Sequence, residues 1–340
     1  MKKRLLSLLL CLLLLPLPAR TEGEVKRYNA SFMDLFNTVS IIIGCDDSIV
    51  EFRALAQQIH DELEIYHQLY DIYNDYEGVN NLKTVNDMAG KAPVEVDGRI
   101  IDLLLFCRDM AQATDGLVDV TMGSVLHLWH EARVFGIDWP EEAYLPDADA
   151  LQLAAQHTGF DRLIIDEEAS TVYLTDPEAR LDVGAIGKGY AVEQVASGLP
   201  EGLLLSVGGN VRATGPNPMT GAHWTAGVQD PDGSQNDYLH VLYVDGVSVV
   251  TSGDYQRYYT VDGVRYGHII DPRTLRPTGL WRAVCILAPD SGLADALSTA
   301  LYLLPVEEGQ KLLDLFGAEA MWIPEDGEYV YSPGFQAYIK

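Results

Sequence analysis

The sequence predicts an α+β protein with a mixed, mostly antiparallel sheet and packed helices. Helix-periodic apolar residues come early, β-rich runs with tight-turn signals come late, and no regular strand–helix alternation links them. With 340 residues, 48% hydrophobic and 21% charged, the chain can bury the core of one large domain or two intimately packed lobes.

The elements follow in order. Residues 1–19 carry Lys2-Lys3-Arg4, an apolar run from Leu5 to Leu17, then Pro18-Ala19. This is the pattern of an export signal, too short for a comfortable membrane span. Cys11 lies among leucines, without the small-residue context of a lipid-anchored cysteine. The expectation is an exported, extracytoplasmic protein that can remain tethered to the cytoplasmic membrane through its N-terminus. Asp46-Asp47-Ser48 can cap a helix running to about Tyr73, with Phe52, Leu55, Ile59, Leu63, Tyr66, Tyr70 and Tyr73 at three- and four-residue spacing. A second helix is expected over 100–113. Residues 138–150 read as a surface loop, and 161–174 as two short strands around an acidic turn.

In the second half, Leu203–Val207 is a buried strand candidate, Gly208-Gly209-Asn210 a turn and Val211–Thr214 the return. Asp245-Gly246 and Asp262-Gly263 signal tight hairpins. Helical periodicity returns from Ala294 to Leu304.

Composition removes several classes. Acidic residues outnumber basic ones 50 to 23, a formal charge of −27, and neutralising phosphates of DNA or RNA needs a basic surface. Beyond Cys11 only Cys45, Cys107 and Cys285 remain. That odd set has no metal-knuckle spacing and is neither a disulfide framework nor a zinc site.

Four stretches can carry chemistry. Leu181 to Glu193 reads as an apolar strand running into glycines and a helix, with Asp182, Ala185 and Lys188 in its turn. Free N–H groups and a lysine there suit phosphate, although such turns are more often plain architecture. The spacing fits neither a Walker loop nor a Rossmann fingerprint. In Asp295-Ala296-Leu297-Ser298-Thr299, helical spacing puts three oxygen-bearing side chains on one face, hard ligands that suit magnesium. An aspartate stabilised by the helix dipole is the plainer reading. Thr251-Ser252-Gly253-Asp254-Tyr255 precedes Tyr266-Gly267-His268-Ile269-Ile270-Asp271-Pro272-Arg273-Thr274. His268 at a strand position can be a general base or a structural histidine. Gly116 to Gly123, with Leu128-Trp129 after it, reads as an ordinary strand and turn.

In their order along the chain, with Leu205 to Arg212 between them, the blocks resemble the ApbE-type FAD:protein FMN transferases over about residues 30–305. The resemblance implies one domain spanning 30–335, with FAD in a cleft between two lobes. It also implies magnesium-dependent transfer of FMN from FAD to a threonine or serine of an acceptor flavoprotein, with release of AMP. By the same resemblance His268 and Asp182 are catalytic, and Asp182 and Lys188 contact FAD. Met33, Tyr73, Leu117, Val118, Asp119, Gly208, Gly209, Ser252, Gly253, His268 and Ile269 would border the flavin nucleotide. The metal would be held by the Ala185 carbonyl and by Asp295, Ser298 and Thr299. Two departures are visible. Phe32-Met33-Asp34-Leu35-Phe36-Asn37-Thr38 departs from the common Met-Gly-Thr, and Ser298 stands where some members place a second aspartate. FAD hydrolysis to FMN and AMP, or flavin binding without turnover, are the alternatives from other classes.

Overall fold

A computed structural model describes residues 24–234, 237–255 and 257–340. The signal-like segment 1–19 lies outside the described residues. The architecture is α+β and mainly antiparallel, as the pattern predicts. An eight-stranded sheet runs in the order Lys26–Phe32, Ser40–Asp46, Leu204–Val207, Asn210–Ala213, Ser248–Gly253, Ala283–Ala288, Glu319–Ile323 and Val330–Tyr331. All its neighbouring strands are antiparallel.

Eight α-helices occur among the described residues. They are α1 (Ile49–Tyr70), α2 (Leu82–Asp87), α3 (Gly98–Ala113) and α4 (Gly123–Asp138), then α5 (Ala148–Ala155), α6 (Gly187–Ser197), α7 (Ser291–Tyr302) and α8 (Val306–Phe316). Ser48 caps α1 through a hydrogen bond from the Glu51 amide, 3.3 Å. The helix stops at Tyr70, so Tyr73 sits just beyond it, where Asp71 accepts the Tyr73 amide at 2.6 Å.

The strand Ala283–Ala288 explains why the sheet can carry a site. All six of its residues are buried. Val284, Ile286 and Ala288 face the helical core with α7, while Ala283, Cys285 and Leu287 face the hairpin of Trp224–Gln229 and Tyr238–Val244. Burial on both faces makes the sequence continuously apolar rather than alternating. The helix α7 therefore lies on a rigid floor formed by this strand and Ser248–Gly253.

Three sequence expectations are corrected. Asp262-Gly263 does close a hairpin, Tyr258–Val261 with Val264–Gly267, and both turn residues have positive φ. Asp245-Gly246 does not, because Tyr238–Val244 pairs with Trp224–Gln229 whereas Ser248–Gly253 belongs to the large sheet. The turn there passes the chain between sheets. Neither Leu181–Val183 nor Leu117–Val120 is a strand; both are extended or turning segments. They are held by single bonds such as Asp182 N–H to the Val120 carbonyl, 2.8 Å. Their apolar residues are buried against helices rather than laddered into a sheet, and apolar runs alone cannot separate these cases.

Candidate active site

The glycine turn before α6 is fixed from several sides. Asn86 brackets Leu181, accepting its N–H at 2.7 Å and donating to its carbonyl at 3.0 Å. The next residue, Asp182, is tied to the 117–123 segment by the Val120 bond. Its Oδ1 accepts the Gly184 amide at 2.8 Å. Burial raises the Asp182 carboxyl above the ordinary range, against the pull of that amide and of His130, Arg133 and Lys188.

The first turn of α6 meets α7 almost backbone to backbone. A Cβ on Gly189 would lie 2.3 Å from the Ser291 carbonyl oxygen and 2.5 Å from the Asp295 Cβ. The close approach lets the Gly189 amide donate to Asp295 Oδ2 at 2.8 Å, with Lys188 Nζ 3.7 Å from the same oxygen. Asp295 is only 4% exposed, so its charge is balanced by a helix N-terminus and an ammonium rather than by water. Gly189→Ala is expected to prise α6 from α7 and destabilise the fold by about 1–3 kcal/mol. A thermal melt checks this, and an unchanged midpoint would contradict the close-contact argument.

On the same helix Ser298 is fully buried; its hydroxyl donates to the Asp295 carbonyl at 2.8 Å and lies 2.7 Å from the Ser252 hydroxyl. This cross-links α7 to the Thr251–Tyr255 block. The following Gly253 admits the Arg282 carbonyl, 2.7 Å from where a Cβ would be. Asp254 is held by the buried Arg282, which also pairs with Asp232 at 2.6 Å. Thr299 is partly buried one turn beyond Asp295. Ala185 lies in the turn that leads into α6.

His268 follows the hairpin strand Val264–Gly267 and precedes Ile269, which is buried in the main core. Its loop is anchored by Asp271 and Arg273, paired at 2.7 Å, with Arg273 also donating to the Leu303 carbonyl at the end of α7, 2.8 Å. The Asp-Pro-Arg motif thus fastens His268 to the helix that bears Asp295. Nδ1 of His268 donates to the Arg257 carbonyl at 3.2 Å, leaving Nε2 as the acceptor in the neutral ring. Burial, then the charges of Arg257, Arg133 and Lys188, push its pKa down to about 3.

Tyr73 completes this side. Its ring stacks on His130 of α4, centroids 5.0 Å apart, and its hydroxyl is raised to about 12, chiefly by burial and then by Asp182. Leu117 and Val118 are buried, and Asp119 accepts the Thr121 amide and hydroxyl at 2.8 and 2.7 Å. Asp182, Lys188, His268 and Tyr73 are therefore one electrostatic neighbourhood, joined through Lys188 to Asp295. Met33, Gly208 and Gly209 lie on two turns joined by one hydrogen bond. Met33 is 78% exposed on the loop that ends at Val39, whose carbonyl accepts the Gly208 amide at 3.1 Å. Both glycines have positive φ, 57° and 91°, as the tight turn before Asn210 requires.

Sequence reading missed His130, Arg133 and Arg257. The first two lie on α4, a helix the sequence does not announce, since the strand-and-turn reading covers only Gly116 to Gly123. Their three-residue spacing after Trp129, on a helix, is the signal that could have found them.

Known proteins resemble the chain in sequence and in fold. FAD:protein FMN transferases from Klebsiella pneumoniae and Treponema pallidum are each 29% identical to the chain, over 95% and 94% of its length and 91% and 90% of theirs. The structure of the ApbE protein from Thermotoga maritima superposes with a TM-score of 0.80 at 30% identity, covering 93% of this chain and all of that one. The flavin transferase ApbE from Vibrio cholerae gives 0.77 at 25% identity, with the same coverage. Residues 33–322 match the ApbE family as a whole, and the chain belongs to that family.

Proposed function

We propose that this protein moves FMN from FAD to the hydroxyl of a threonine or serine in an acceptor flavoprotein, releasing AMP, with magnesium as the metal. The observation that carries the reading is the convergence of a neutral His268, three cationic side chains and the buried Asp295 in a protein of formal charge −27. Relatives and structural neighbours that bear the names of flavin transferases support the same chemistry.

The residues present fit a magnesium ion. Asp295 spends only Oδ2 on Gly189 and Lys188; Oδ1 has no hydrogen bond among the described residues, and neither has the Thr299 hydroxyl one turn on. Hard oxygen donors of this kind, few in number, suit an ion that completes its shell with phosphate and water. Asp295 and Thr299 would hold it, with the Ala185 carbonyl near α6. The Ser298 hydroxyl is engaged with Ser252 and the Asp295 carbonyl, so it serves the site by bracing α7. A bound magnesium would offset diphosphate charge and ease departure of AMP.

The remaining work falls to side chains. Lys188 attracts and orients the diphosphate, and Tyr73 offers a ring face at the mouth of the site. His268 Nε2 accepts the proton as the acceptor hydroxyl oxygen bonds to the FMN phosphorus and the bond from that phosphorus to the AMP phosphate breaks. Asp182 balances the cationic side. FAD, magnesium and an acceptor domain with a Ser/Thr motif should yield a fluorescent flavinylated band and equimolar AMP. AMP and FMN without a labelled acceptor would mean hydrolysis, and no AMP at all would mean a flavin-binding protein.

The signal-like N-terminus supports an extracytoplasmic site of action, with acceptors among exported or membrane redox proteins, and no described helix is long and apolar enough to cross a membrane. Cell fractionation tests this; a purely cytoplasmic pool with an intact N-terminus would refute it.

A further inference from the structure

The helix α4 brings an arginine to the site that no motif marks. Trp129 pins the helix by donating from Nε1 to the Leu275 carbonyl at 2.9 Å, in the loop after Asp271. One turn on, Arg133 Nη2 donates to His130 Nδ1 at 3.1 Å. The same nitrogen lies 3.4 Å from the Tyr73 hydroxyl, and the His130 and Tyr73 rings are stacked. A neutral His130 thereby fixes both the guanidinium and the phenol.

Arg133 has no carboxylate partner among the described residues. The other described arginines without an ion pair are exposed to water, whereas Arg133 is partly buried. Its charged neighbours are Arg257, which also has no carboxylate partner among the described residues, and Asp182. The charges of Arg133 and Arg257 both act on His268 and repel each other, and the partial burial of Arg133 reduces the water that would screen its own charge. An anion with several oxygens relieves both costs, and the planar fork of arginine matches phosphate in bidentate fashion.

We infer that Arg133 is a direct contact for the diphosphate of the flavin nucleotide, facing Arg257, with His130 and Tyr73 holding the guanidinium in place. The inference rests on FAD being the substrate, as proposed above. Arg133 thus belongs to the binding machinery, and His130 is a positioning residue that acts through it.

Titrating FAD onto the full chain by flavin fluorescence tests this, with wild type, R133Q and R133K compared and each variant's melting point recorded. Loss of a charge-assisted pair predicts FAD affinity lower by roughly 10- to 100-fold in R133Q. R133K should recover part of it, since lysine restores charge but not the fork. H130F keeps the stack on Tyr73 while removing the acceptor nitrogen, and should weaken FAD several-fold. Equal FAD affinity in wild type and R133Q overturns the inference alone. So does a loss shared by R133Q and R133K with both melting well below wild type, which marks a structural role. A wild type that binds no FAD overturns the proposed function, and this inference with it.

Discussion

Replacing His268 with alanine is expected to slow flavin transfer by roughly 10²- to 10⁴-fold, the usual contribution of a positioned general base, while FAD affinity changes little. The ring is anchored through Nδ1 to the Arg257 carbonyl, so its loss frees space without removing a charge from the diphosphate site. In the free protein burial and the neighbouring cations push His268 down to about 3. It is neutral at every working pH, yet so low a pKa makes it a weak base. Substrate changes that balance. A diphosphate among Arg133, Arg257 and Lys188 cancels the positive field and raises the proton affinity of Nε2 when a proton must be accepted. The acid limb of kcat/KM due to His268 should then lie well below 6.5, and that of kcat should lie higher. An affinity collapse with a normal residual rate in His268→Ala would make it a binding residue instead. The same shift bears on stability. The folded state holds fewer protons on His268 than the unfolded chain below about 6.5, so stability is present above that pH and falls toward about 3.

The sequence made the order of elements legible wherever period or capping was strong. The seven apolar positions from Phe52 to Tyr73 and the Ser48 cap located α1, and Asp262-Gly263 located its hairpin. It was misleading where tertiary contacts override local signal. Leu117–Val120 and Leu181–Val183 look like strands because they are apolar, but they are buried as single segments clasped by Asn86 and by each other. Asp245-Gly246 looks like a hairpin because its turn chemistry is right, while the flanking strands belong to different sheets. For the site, motifs exposed the residues that carry glycine, aspartate and histidine in recognisable blocks. They were silent on Arg133 and Arg257, since one basic residue on a helix or hairpin resembles any solvated surface cation. Only the fold reveals that the charges of these two act together on His268 and that neither has a carboxylate partner among the described residues.

Asp295→Asn is the second large effect, and the structure makes it unusually specific. Asp295 uses its two oxygens differently: Oδ2 receives the Gly189 amide at 2.8 Å, and Oδ1 has no hydrogen bond among the described residues. An asparagine can keep the Gly189 bond through its carbonyl oxygen. Its –NH₂ then occupies the position of the open oxygen, and an amide nitrogen carrying two hydrogens cannot ligate a hard dication. The α6–α7 contact should survive and the metal site should not. Magnesium-dependent turnover should fall by more than about 10²-fold, since even outer-shell changes at metal sites cost ~10- to 100-fold, while the melting point stays near wild type. Asp295→Ala is the contrasting variant. It removes the open oxygen and the Gly189 acceptor together, leaving the amide unpaired at a buried helix start, so it should lose activity and melt earlier. Lys188, 3.7 Å from Oδ2, loses its carboxylate partner in both variants, so it cannot account for a difference between them. Measuring turnover across a magnesium series, with melts of all three proteins, separates the roles. Wild-type-like activity of Asp295→Asn at low magnesium would remove the metal from Asp295 and leave it the task of holding α6 against α7.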